Sequence, residues 1–321
     1  MINYLKKLFS AGGHDEADEA KRQEERDFDL LKYDGIRAMR MGKTDYAERC
    51  FTRAIGLRRD PETLRHLAAL YIGLGRYDEA IATLTTLAEA EPDKPDAHIS
   101  MSGVHFTRGD YATARDEAGK ALGIEAGNAE ALLLAGKADA RLGNMLEAIV
   151  SLTKAIEARE GYVDALLARA ETLTSMRQAA EAMADVERVL SIDDGNEAAL
   201  SLKASLQAMG GDTDAALATY DRLLEANPFN FDAYAAKAGI LMAAGQAQQA
   251  IATLDEAIEL SDSVPQLYRE RGRAKMMLGD KEGAAADLKK SLEMRPEDAE
   301  TINGQFTNRA AEFDNITGIF K

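Results

Sequence analysis

The chain has 321 residues, 46% of them hydrophobic, with no Trp, one cysteine (Cys50) and a formal net charge of −16. Such a charge argues against sequence-independent DNA or RNA binding, which needs Lys and Arg to displace counterions from phosphates. A single cysteine excludes an intramolecular disulfide and fits a reducing compartment, and no window approaches the roughly 18 apolar residues that span a bilayer.

At the N-terminus, residues 1–14 are predicted to be an amphipathic segment followed by a hinge. Ile2, Leu5, Leu8 and Phe9 stand beside Lys6 and Lys7, too short and too interrupted a stretch for a secretory signal. Ser10-Ala11-Gly12-Gly13 reads as the hinge. Three readings of residues 1–9 stay open: a mobile segment, docking into a groove of this or a neighbouring chain, and weak contact with a membrane surface. In the last case two lysines work against the overall negative charge. Residues 15–27 form a charged helical lead-in with i,i+4 pairs such as Asp18 with Arg22.

From residue 28 to 298 the chain repeats itself. Alanines recur at 47, 80, 114, 148, 182, 216, 250 and 284, and glycine stands five residues before seven of them, at 42, 75, 109, 143, 211, 245 and 279. The copies run 28–60, 61–94, 95–128, 129–162, 163–196, 197–230, 231–264 and 265–298. A period of 33 or 34 residues is the mark of stacked supersecondary units, each unable to bury its apolar face alone.

Each copy is predicted as helix, tight turn, helix, tight turn. In the second, Pro61 suits a first helical turn, and Leu64, Leu67, Ala68 and Tyr71 share one helical face. Gly75 ends that helix in a left-handed conformation. Ala80, Leu84 and Leu87 make the inward stripe of the second helix, and Pro92 stops it. Twelve residues before each recurring alanine stands a small residue (Gly35, Ala68, Ser102, Gly136, Ala170, Ala204, Ala238, Gly272), which lets the two helices of a hairpin approach closely.

Some copies depart from the pattern. Arg177 replaces the turn glycine of the fifth, which implies about 1 kcal/mol of strain or another turn geometry. Asp139, Gln207 and Lys275 fall where Tyr71, Leu173 and Leu241 are large and apolar, so looser packing or a shifted register is expected there. Residues 299–321 are predicted as a C-terminal capping helix and tail, with Ile302, Phe306, Phe313 and Phe320 as its apolar face.

The small–aromatic–glycine–alanine–proline order and the 34-residue period resemble the tetratricopeptide repeat family over residues 28–298. The resemblance implies an all-α fold, a right-handed superhelical solenoid of about eight tandem helix-turn-helix repeats. It also implies that ligands, extended peptides or helices, lie in a concave groove lined by the first helix of each repeat. By that register the groove residues are Lys32, Met39, Arg40, Arg65, His66, Ile72, Ile99, Phe106, Leu133, Lys137 and Arg141. They continue with Leu167, Glu171, Leu202, Met209, Met242, Arg269, Arg273, Met276 and Met277. Methionines suit adaptable apolar contacts, and the i,i+4 cations Lys137 with Arg141 and Arg269 with Arg273 either orient an acidic segment or pair with acids of the chain itself.

Chaperone-binding members of the family clamp a C-terminal carboxylate with Lys and Asn side chains. The central Asn would fall at His66, Ser100, Leu134, Ala168, Leu202, Ala236 or Glu270; none is Asn, so a chaperone tail is not the expected ligand. No catalytic constellation, cofactor site or metal site is expected. His98 and His105 take packing positions without a third ligand nearby, and Cys50 reads as a small buried residue. The expected function is a non-enzymatic, cytoplasmic protein–protein interaction scaffold with a protein or peptide partner and no nucleic acid. Its alternatives are a membrane-recruited adaptor through residues 1–9 and a self-assembling component; the oligomeric state stays open.

Overall fold

The computed structural model of the chain describes residues 2–296, with side chains from residue 18 onward. The expected cap over residues 299–321 and the side chains of residues 1–9 lie outside the described residues. Among those described there are sixteen helices and no strand. They form hairpins in sequence order: α1 (Ile2–Arg40) with α2 (Thr44–Leu57), α3 (Pro61–Gly73) with α4 (Tyr77–Ala90), α5 (Asp96–Thr107) with α6 (Tyr111–Ile124), and α7 (Ala129–Leu142) with α8 (Met145–Ala158). The series goes on with α9 (Val163–Ser175) and α10 (Ala179–Ile192), α11 (Glu197–Met209) and α12 (Thr213–Ala226), α13 (Phe231–Ala243) and α14 (Ala247–Leu260), then α15 (Pro265–Met277) and α16 (Lys281–Met294).

One boundary differs from expectation. Helix α1 passes unbroken through residues 10–13, where the sequence predicts a hinge. Each helical glycine costs about 1 kcal/mol against alanine, so Gly12 and Gly13 weaken this stretch without ending the helix.

The turn inside each hairpin has one geometry throughout. In the second repeat Gly75 takes φ +70°, and the amide of Arg76 donates to the Tyr71 carbonyl at 2.9 Å. This bond spans the end of the first helix and satisfies a carbonyl that the helix leaves unpaired. Arg177 holds the same place at φ 60°, and Gln178 donates to Leu173 at 2.9 Å. The fifth repeat therefore keeps the turn and carries the strain of a non-glycine left-handed residue, of order 1 kcal/mol.

All eight recurring alanines are 0% exposed. Opposite them, the small positions are needed for space. A Cβ on Gly136 would lie 2.6 Å from Leu152 Cγ and 3.1 Å from the Ala148 carbonyl oxygen, and one on Gly35 would lie 2.6 Å from the Phe51 ring. Apolar clusters then fill the space within and between hairpins: Ala38, Phe51, Leu67 and Tyr71 in one, Leu64, Leu84, Leu87 and Met101 in the next.

The polar substitutions at the large apolar position do not shift the register. Asp139 is buried, receives Arg115 Nε at 2.7 Å and accepts from Asn144 Nδ2 at 3.0 Å. Gln207 accepts from Thr219 Oγ1 at 2.8 Å, and Lys275 Nζ lies 2.8 Å from Asp287 Oδ2. Polar bonding within and between hairpins replaces apolar contact, and the turn bonds to the carbonyls of 139, 207 and 275 persist at 2.9, 2.9 and 3.1 Å.

The chain divides into two compact units, Met1–Thr172 and Leu173–Lys321. In the first, consecutive helices from α1 to α8 pack in order, and first helices also touch one another, α1 with α3 and α5 with α7. In the second, α10 to α16 pack in order and α13 touches α15. First helices thus share a face within each unit. No helix among the described residues is long and apolar enough to cross a membrane.

Candidate functional site

The face made by first helices is where the sequence places the groove, and the structure sorts its residues by availability. Lys32, Ile99, Leu133 and Met242 are buried, so the contact surface expected of them is not there. Ile99 packs with Ala121 and Ala131, and Lys32 is held 3.1 Å from Asp60 and bonds Glu62. Burial alone would depress the Lys32 ammonium; the bonds it donates to Glu62 and Asp60 outweigh that and raise it. In the same cluster burial would raise the Asp60 carboxyl, but Thr63 and Lys32 hold it below the ordinary aspartate range.

Other cations of the predicted groove also have partners in their own chain. Arg65 bonds Glu91 and lies 4.0 Å from Asp96. Arg269 lies 3.5 Å and Arg273 2.6 Å from the Glu270 carboxylate. In contrast Arg40 and Arg141 are exposed and make no ion pair among the described residues. Lys137 likewise has no carboxylate partner there, and its ammonium sits 5.3 Å from the centre of the Phe106 ring.

The apolar members separate in the same way. Ile72, Met209 and Met277 are exposed, Phe106, Leu202 and Met276 half-buried. Phe106 meets Tyr111 edge-on at 5.2 Å. His66 stacks on Phe51 at 5.7 Å, with Nε2 3.9 Å from Glu62.

A notch of about 300 Å³ opens between α3, the start of α4, and α5. It is lined by Ile72, Tyr77, Ser100, Gly103, Val104 and Thr107. Of these the sequence register named Ile72 as a groove residue and Ser100 only as a clamp position lacking the Asn. Gly103 was legible as a small residue on the same helical stripe as Ile99 and Phe106, yet a missing side chain gives no chemical signal.

His98 and His105 stay apart from this face in their bonding. His98 Nδ1 lies 2.7 Å from Glu117 Oε2, and His105 Nδ1 lies 3.4 Å from Asp110 Oδ2. Burial would raise the Glu117 carboxyl, but Lys120 and His98 outweigh it and lower it. No group of three or more His, Cys, Asp or Glu residues able to hold a metal occurs among the described residues. Cys50 is a buried free thiol.

The tetratricopeptide repeat family profile matches residues 66–131 and 202–266. Among solved structures, a tetratricopeptide repeat protein from Parabacteroides merdae superposes with TM-score 0.61 at 20% identity, over 73% of this chain and 93% of that one. The Cut9–Hcn1 hetero-tetramer of the APC/C gives 0.57 at 14% identity, over 84% of this chain but only 53% of the matched one. PilF of Pseudomonas aeruginosa gives 0.54 at 18% identity, over 64% and 94%. These likenesses establish the fold. No curated protein sequence matches the chain.

Proposed function

We propose that this chain, whose residues 66–131 and 202–266 match the tetratricopeptide repeat profile, is a non-enzymatic, cytoplasmic scaffold that binds a peptide or helical segment of a protein partner on its first helices. The observation that carries this reading is the contrast on that face between satisfied and unsatisfied groups. Lys32, Arg65, Arg269 and Arg273 are matched by acids of the chain. Arg40, Lys137 and Arg141 have no carboxylate partner among the described residues; Ile72 in the same unit, and Met209 and Met277 in the second unit, present exposed apolar surface on first helices. Unmatched charge and exposed apolar area are what a partner segment can complete.

The test is capture of partners from native lysate by the full chain and by two variants, Lys137→Glu with Arg141→Glu and Met276→Glu with Met277→Glu. Circular dichroism first establishes that both are folded. Loss of the same captured protein in at least one variant supports the reading. Full retention in both, with both folded, contradicts it.

A further inference from the structure

We propose that the notch at Gly103 is an anchor pocket for one apolar side chain of an acidic, extended partner segment, whose carboxylates reach Lys137 and Arg141. The inference rests on the groove reading above and names the partner's chemistry.

Three independent observations meet there. The first is shape. About 300 Å³ lies at the lower limit of ligand pockets, room enough for an apolar side chain to enter from a segment lying across it. Ile72, Tyr77 and Val104 supply apolar walls, while Ser100 and Thr107 bring hydroxyls. Thr107 spends its hydroxyl on the Gly103 carbonyl at 2.9 Å, whereas the Ser100 side chain makes no hydrogen bond among the described residues. It is therefore available to the backbone of a segment lying along the face.

The second is the glycine itself. Gly103 stands inside α5, where alanine is the better helix former. Its cousins Gly35 and Gly136 are required by neighbours within 2.6 Å of an added Cβ, but an added Cβ on Gly103 meets nothing within 4 Å. Packing does not ask for glycine here. The bare backbone of Gly103 adds to the open space of the notch.

The third is charge. Lys137 and Arg141 sit four apart on α7, and like charges at that spacing repel each other. Neither has an acid within ion-pair distance among the described residues, although the chain carries 55 Asp and Glu residues against 39 Lys and Arg. Lys137 lies over Phe106, one turn beyond Gly103 on α5. Cationic charge thus stands on α7, the next first helix, packed against α5, where an extended segment anchored at the notch can run. An anionic segment relieves that repulsion, and a basic one adds to it.

The probe is a set of short dye-labelled peptides: one Leu flanked by Asp and Glu, the same sequence with Gly for Leu, and the same with Lys for the acids. Anisotropy is read with the full chain, with Gly103→Leu and with Lys137→Glu plus Arg141→Glu. The acidic Leu peptide is expected to bind best. Replacing its Leu, or filling the notch by Gly103→Leu, should each weaken binding about tenfold or more. Charge reversal should weaken it and remove its salt dependence. Should Gly103→Leu fail to fold, Gly103→Ala supplies a smaller loss in a helix-favoured background.

Binding that ignores peptide charge, absence of binding by any peptide, or unchanged binding by the filled notch overturns the proposal. So does self-association of the chain that Gly103→Leu abolishes, since the occupant would then be a second copy. Capture of the native partner that survives Gly103→Leu but not Lys137→Glu with Arg141→Glu removes the anchor and leaves the groove reading standing.

Discussion

Ser102 Oγ donates a 2.7 Å hydrogen bond to the carbonyl oxygen of Ala114, across the α5–α6 hairpin and out of reach of water. The same pair of positions brings Gly136 against the Ala148 carbonyl and Gly272 against that of Ala284, where an added Cβ would lie at 3.1 and 3.2 Å. In these three hairpins the small residue thus lies against the carbonyl of the recurring alanine. Ser102 fits because its hydroxyl finds an acceptor there.

From that contact follows a pair of opposite effects from one substitution. Gly136→Ala should destabilise by about 1–3 kcal/mol through overpacking on Leu152, although alanine is the better helix former by about 1 kcal/mol. Gly103→Ala, with open space above it, should stabilise by about 0.5–1 kcal/mol. Urea unfolding of the two variants compares them; effects of the same sign would contradict the packing account.

Arg177 offers a second stability test. Its left-handed conformation suits glycine, so Arg177→Gly should gain up to about 1 kcal/mol, reduced by the greater freedom of glycine in the unfolded chain. Arg177→Val should lose stability, because a β-branched residue at positive φ is strained further. Thermal unfolding in which valine is tolerated as well as glycine would mean that the turn relaxes out of this geometry.

Acid should loosen the last hairpin through Asp287. Burial pushes this carboxyl up, but Arg271 at 2.6 Å and Lys275 at 2.8 Å outweigh it and hold it below the ordinary value of 3.8. A carboxyl lowered by folding stabilises fully above its unfolded value, and that contribution fades as pH falls through the lower folded value. Asp287→Asn should cost about 2–3 kcal/mol near neutrality and flatten the acid limb of a stability–pH profile. An acid limb as steep as that of the parent would assign the effect to other carboxylates.

The sequence was informative wherever a position is dictated by backbone geometry. The turn glycines, the alanines and the small positions opposite them recur because left-handed φ and close helix approach admit few residue types. It was least informative where side chains choose among partners. Nothing in the order of residues told that Arg269 and Arg273 share Glu270 while Lys137 and Arg141 have no acid beside them. Nor did spacing reveal that Met242 is covered while its repeat equivalent Met276 is half-buried, since both fall at the same place in the 34-residue period. Asp139 and Lys275 looked like packing defects because their partners, Arg115 and Asp287, stand on neighbouring helices.

The most direct measurement of the central claim is site-specific photo-cross-linking in native lysate, with the reactive residue at Ile72 or at Leu146. Both side chains are exposed, 36% and 67% respectively, but Ile72 lies on a first helix beside the notch and Leu146 on a second helix. A partner adduct formed from Ile72 and not from Leu146 is the predicted result. An adduct from Leu146 alone would place the working surface on the second helices and contradict the account.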